Sequence, residues 1–151
     1  MLELARSSDW QTVNHLANQV NALHVIWRPD IHQSDAELFS QEYFQDAVRQ
    51  RLLYVARINN AVVGYVILQI IKDITPGHIS RKIMLVKEIC VDEMCRSQGI
   101  GSEVMHEVRA LAKVFGCTSI QLDVYPQNDE AIGFFQKAGL TIQSITMSTN
   151  L

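Results

Sequence analysis

The chain has no surplus of positive charge: 13 lysines and arginines stand against 16 aspartates and glutamates, a formal net charge of -3 over 151 residues. Binding many nucleic-acid phosphates calls for a basic footprint, so nucleic acid is not expected as a partner. Cysteine is scarce, and Cys90, Cys95 and Cys117 are odd in number and form no C-x-x-C pair. That excludes a disulfide framework and a zinc knuckle, and fits a reducing, cytoplasmic setting. No apolar run reaches the ~20 residues of a membrane span, since VVGYVILQII is interrupted by Gln69. The opening MLELARSSDW lacks the basic flank and apolar stretch of a signal peptide, and the five histidines show no metal-ligand spacing. With 48% hydrophobic residues the chain can build one sizeable core, and residues 1–151 are expected to be one domain.

Hydrophobic periodicity supplies the element order. Residues 2–5 suit a short strand, and Ser8 with Gln11 offers a capping box for a helix whose buried face is Val13, Leu16, Ala17, Val20 and Leu23. HVIWRPDIHQ breaks the pattern, and Ser34 with Glu37 offers a second capping box for a helix to about Arg49. Residues 52–58 and 62–71 form a hairpin about Asn59 and Asn60, and 83–91 reads as a central strand. A helix over 99–115 ends at Gly116, a strand covers 119–125, and Asn128 or Asp129 caps a helix that Gly139 closes. A last strand is expected over 140–147. The order predicts an α/β (α+β) fold, one mixed sheet with helices on both faces.

Between the strand ending at Val91 and the next helix, Arg96, Gly99 and Gly101 stand at the spacing R-x-x-G-x-G. Helix starts present unpaired N–H groups and the positive end of the dipole, so anions bind there. Glycines at 99 and 101 remove the Cβ atoms that would hold phosphate oxygens away, and Arg96 adds a charged donor. A third glycine at 104 would mark a dinucleotide fingerprint, but Val104 is there, and no Gly-Lys-Ser/Thr of a P-loop exists. The glycines could instead serve only tight strand-to-helix packing.

R-x-x-G-x-G after a strand ending in I-C-V-D resembles the acetyl-CoA motif of the GCN5-related N-acetyltransferase (GNAT) superfamily. RKIMLVKEICVDEMCRSQGIG is similar throughout to that superfamily's strand, loop and helix start. NDEAIGFFQKAGL is similar to its downstream N-x-x-A-x-x-F-Y-x-K-x-G-F signature. The resemblance implies the acyl-CoA N-acyltransferase fold, with a mostly antiparallel sheet, and acetyl-CoA as acyl donor. It implies that pantetheine pairs with the backbone of Ile89, Cys90 and Val91. The pyrophosphate would rest on Arg96, Ser97, Gln98, Gly99, Ile100, Gly101 and Ser102. Asn128 would bond the cofactor's amide region, Ala131 and Phe134 border it, and Lys137 approach a phosphate. Each has a plainer alternative: a helix cap for Asn128, core for Phe134, a solvated cation for Lys137.

Direct transfer to an amine needs a base, because alkyl amines have pKa values near 10.4, like lysine. Glu88, three residues before the end of its strand, is the expected base, with a structural carboxylate paired to Lys72, Arg81 or another cation as the alternative. The family's tyrosine, which protonates the leaving thiolate, is replaced by Phe135. Tyr125 is a conceivable substitute acid, or an aromatic packed on cofactor or core. Cys90 is expected to be a small buried hydrophobe rather than a nucleophile. Acceptor binding is expected in the loop carrying His24, Trp27, Arg28, Asp30 and His32, with Trp27 and Asp30 as substrate contacts, and in the 72–81 loop. Trp27 beside the apolar Val25 and Ile26 also reads as a core residue. Mild acidity is compatible with a cationic amine of a small molecule or a peptide. A noncatalytic acyl-CoA-binding module is the rival reading, and ITMSTNL is an edge through which a homodimer could form.

Overall fold

A computed structural model describes residues 1–34 and 37–151. Five strands run in the spatial order β1 (Leu2–Leu4), β2 (Leu53–Ile58), β3 (Ala61–Asp73), β4 (Arg81–Val91) and β5 (Ser119–Leu122). The first four pair antiparallel and β5 joins β4 in parallel, which is the mixed, mostly antiparallel sheet expected. Helices α1 (Trp10–Trp27) and α2 (Gln41–Arg49) cover one face, and α3 (Ile100–Val114) the other, with α4 (Asp129–Lys137) against the start of α3. Strand alternation sends Leu53, Val55, Tyr65, Ile67 and Cys90 into the α1 core, and Ala56, Val66, Leu68, Met84 and Val86 into the α3 core.

Several expectations need correction. The first helix does not start from a Ser8/Gln11 box: a 3-10 turn, Ser7–Asp9, precedes it, and the Arg6 amide donates to Asp9 Oδ2 at 2.9 Å. HVIW continues α1 to Trp27 rather than breaking it, since nothing before Pro29 interrupts the helical backbone. The second helix starts at Gln41, capped by Ser40, whose Oγ accepts from the Tyr43 amide. The Ser34/Glu37 box is not its start, and residues 35 and 36, inside that box, lie outside the described residues. The expected last strand is absent: residues 140–151 form no helix or strand, and Ile142, Ile145 and Met147 are exposed. An isolated strand with no partner gains no ladder bonds to offset its ordering.

Candidate active site

The site begins with a fault in β4. Ile67 pairs with Glu88 and Leu68 with Val86, which leaves Lys87 as the extra residue of a bulge. A bulge bends its strand and re-aims side chains, and here it turns Glu88 toward the α1 side together with Tyr65, Ile67 and Cys90. Pairing of β4 with β5 stops at Val86 and Leu122, the same point. Beyond it β4 continues to Val91 while β5 ends, three residues short of the expected Tyr125. The strands thus part into a cleft with Glu88 to Val91 on one lip and Asp123 to Tyr125 on the other. On the β4 lip, the edge of residues 87–91 that faces β5 has no strand partner.

Glu88 opens to solvent through the cleft, but protein surrounds much of its side chain, and this desolvation raises its pKa above the usual carboxylate value. The Tyr65 hydroxyl donates to Oε2 at 3.0 Å and, with the Lys87 charge, offsets only part of the effect. Tyr65 is 2% exposed and stands edge-on to Phe39, so its hydroxyl is held in place. Burial pushes its own pKa well up, which keeps it a donor. Neither Lys72 nor Arg81 pairs with Glu88: Arg81 bonds Asp73 instead. A raised-pKa carboxylate in a cleft suits proton uptake from an amine. Beside it, Tyr43, Asp46, Gln50, Gln69 and Lys87 line a shallow cavity between α2 and the bulge, which the sequence reading had not singled out.

The roof over the α1 side comes from asparagines seven positions apart on one helical face. Asn14 donates to the Phe39 carbonyl and accepts from its amide, and Asn21 donates to the Gln33 carbonyl. The segment after α1 therefore runs back along the helix. At its far end His32 Nε2 meets the Tyr125 hydroxyl at 2.8 Å, joining this segment to the β5 lip. His24 packs on both rings, at 4.7 Å from His32 and 5.3 Å from Tyr125, and its pKa is lowered by burial and by His32. Trp27 is half-buried and tilted against His24, a part of this aromatic cluster rather than of the main core. Asp30 is engaged by Arg28 through two bonds and by Asn150, which hold its carboxyl well below the usual range. The 72–81 loop is misplaced as an acceptor site: Asp73 lies six residues along β3 from Ile67, the partner of Glu88, roughly 20 Å at strand rise.

The R-x-x-G-x-G loop has the backbone of an anion cradle. Ser97 and Gly99 both take positive φ, 64° and 81°, and the amides of the first α3 turn have no helical acceptor. Positive φ at serine is uncommon, and two such residues two positions apart curl the backbone sharply just before α3. Gln98 and Ser102 are exposed beside it, while Ile100 is buried and anchors the helix start. Two parts differ from expectation. A Cβ on Gly101 would come within 3.1 Å of the Phe134 ring, so this glycine makes room for α4. Arg96 Nε donates to the Val91 carbonyl at 3.1 Å, which ties the loop to the strand end.

On α4 the plainer roles are visible. Asn128 Oδ1 accepts from the Ala131 amide as a helix cap, Phe134 packs on Gly101 and Phe135, and Lys137 is a solvated cation in the last turn. Phe135 is buried and has no proton to give. The Cys90 side chain points to the α1 core, donates to the Leu16 carbonyl, and burial pushes its pKa up to about 12, so it remains a thiol.

Comparison with known proteins gives a consistent picture. Residues 20–140 match the acetyltransferase (GNAT) family model. The Bacillus subtilis (strain 168) protein named "Putative phosphinothricin acetyltransferase YwnH" is 29% identical over 98 residues, which is 65% of this chain and 58% of that protein. A mutant of the BH1408 protein from Bacillus halodurans superposes with a TM-score of 0.93 at 28% identity, covering 100% of this chain and 99% of that one. The glucosamine-6-phosphate N-acetyltransferase of Arabidopsis thaliana shares the fold, with a TM-score of 0.72 at 17% identity over 99% of this chain and 97% of its own. With its bulged fourth strand, its parted strands and its phosphate-type loop, the chain belongs to the acetyltransferase (GNAT) family, whose acyl donor is acetyl-CoA.

Proposed function

We propose that the protein is an N-acetyltransferase that moves an acetyl group directly from acetyl-CoA to a primary amine of a small molecule or peptide. The observation that carries this reading is the coincidence of bulge and cleft: one extra residue, Lys87, opens the strands and brings Glu88 to the opening. In this reading the backbone of Ile89, Cys90 and Val91 receives the pantetheine arm, and residues 96–102 receive the pyrophosphate through their amides. Ala131 and Phe134 border the arm, and Lys137 adds positive potential. Glu88 takes the amine proton, directly or through water, as nitrogen attacks the thioester carbonyl. Tyr125 supplies a proton to the departing sulfur in place of the hydroxyl that Phe135 lacks. The acceptor enters from the α1 side, past Tyr43, Trp27 and Asp30.

The test is a panel of amines and peptides with acetyl-CoA, followed by CoA release and product mass. Turnover that falls by about 10²-fold in Glu88→Gln supports the reading. Saturable acetyl-CoA binding with no release of CoA across the panel would favour the noncatalytic module, for which Phe135 is the motivating departure. Two further points belong to the same proposal. Three free cysteines suit a reducing, cytoplasmic setting. The open edge of β5 and the unpaired 140–151 segment support a homodimer, in which a second copy supplies the missing strand partner.

A further inference from the structure

We propose that His32 is a positioning residue for acid catalysis: its Nε2–H donates to the Tyr125 oxygen and so directs the Tyr125 hydroxyl proton into the cleft. The inference rests on the acetyl-transfer reading and assigns a task to a residue that has none in it. The geometry supporting it is local and specific. Tyr125 lies three residues past Leu122, the last β5 residue paired to β4, so counting on in register sets it across the opening from Ile89. Its backbone thus belongs to the cleft's free lip, and its ring meets His24 and His32 on the α1 side, the side Glu88 faces. His32 approaches that hydroxyl at 2.8 Å from the segment after α1, and His24 packs tilted on the His32 ring and edge-on to the Tyr125 ring, which limits their rotation.

A tyrosine hydroxyl has one proton and two acceptor lone pairs. If it spent the proton on His32, none would remain for sulfur. With Nε2–H as the donor, the hydroxyl accepts from histidine and its own proton is free. The step then balances as follows. The carbon–sulfur bond breaks, the sulfur takes the Tyr125 proton, and the charge left on the phenolate oxygen is held by the Nε2–H bond until solvent returns a proton. His32 itself gains and loses nothing. Charged groups near the pair are Arg28 and Asp30, which bond each other, and His24 beside the rings.

Two measurements test this. Nitrogen-15 spectra of the imidazoles in the full-length protein report the tautomer without any need for turnover. A proton on Nε2 of His32 is expected, and a neutral ring protonated only at Nδ1 would overturn the proposal. In turnover with the amine identified by the panel, Tyr125→Phe and His32→Leu should each slow acetyl transfer from acetyl-CoA by about 10²-fold, within the usual range for general acid catalysis. The loss should shrink with an aryl thioacetate, whose leaving thiolate needs no proton. His32→Gln, which keeps an N–H donor, should recover much of the rate. The double variant should be no slower than either single one. An active enzyme in which His32→Leu and His32→Gln behave alike, or in which the penalty is the same for both donors, would defeat the pairing while leaving the acetyltransferase reading intact.

Discussion

Glu88 carries the pH dependence of the proposed reaction. Burial raises its pKa and the Tyr65 hydrogen bond offsets part of the rise, which makes the carboxylate a stronger proton acceptor than an exposed one. Because the base works unprotonated, kcat/KM should fall as pH drops through that raised pKa. Tyr65→Phe removes a donor that favours the charged form, and the acidic limb should move to higher pH, while Glu88→Gln should lose the limb altogether. A pH–rate profile with an unmoved limb would place the base elsewhere. Cys90 offers a second residue-scale test. Iodoacetamide at neutral pH should label the half-buried Cys95 and Cys117 before Cys90, read by peptide mass spectrometry, and early labelling of Cys90 would contradict its burial. Glu88 was legible from its place near a strand end. The Tyr65 contact with Glu88 and the tie of His32, placed only in the acceptor loop, to Tyr125 were not, because those partners lie 23 and 93 positions apart.

Two glycines at the phosphate-type loop separate backbone shape from packing at the scale of elements. Gly99 has φ of +81° and open space around its Cβ direction, so Gly99→Ala should cost about 1 kcal/mol through backbone strain. Gly101→Ala instead sets a methyl 3.1 Å from the Phe134 ring, a crowding that works against the roughly 1 kcal/mol gained by alanine in a helix, and adding Phe134→Leu should relieve the crowding. Urea unfolding of Gly99→Ala and Gly101→Ala, each with and without Phe134→Leu, checks both. Recovery of Gly99→Ala by Phe134→Leu would show that the two positions had been told apart wrongly. Periodicity and caps made α3 and α4 readable to within a residue or so. The bulge at Lys87 gave no such signal, since a pattern of apolar residues does not say which partner residue is skipped.

Charge and assembly act on the whole molecule. Arg57 joins Glu3 at 2.6 Å and Asp9 at 2.8 Å, binding the N-terminal strand and turn to β2. Arg57→Gln should lower stability by about 1.5–3 kcal/mol near neutral pH, because it removes the charged donor from the buried Asp9, which keeps the Arg6 amide. The Glu3 carboxyl is held below its ordinary 4.5 by the Arg57 hydrogen bond, and Asp73 below 3.8 by His78. Depressed carboxylates stabilise the fold above those values and lose that contribution as pH falls through the native ones. The melting temperature should therefore begin to fall near pH 4.5, and less steeply in Arg57→Gln. An equal slope would remove the pair from the account. Light scattering should give the mass of a dimer, and Ile142→Asp with Ile145→Asp should shift it to a monomer if 140–151 builds the contact.

The sequence by itself determined the elements and the family, because helical and strand periods, caps and the glycine spacing are local properties that survive without a fold. Its segment 140–147 has strand composition, but composition cannot provide a neighbouring strand, and none pairs with it here. Only the tertiary structure decided where β4 and β5 part, which tyrosine meets Glu88, and which histidine reaches Tyr125. Those are contacts between residues far apart in the chain, and their existence depends on a register and a bulge fixed when the sheet assembles.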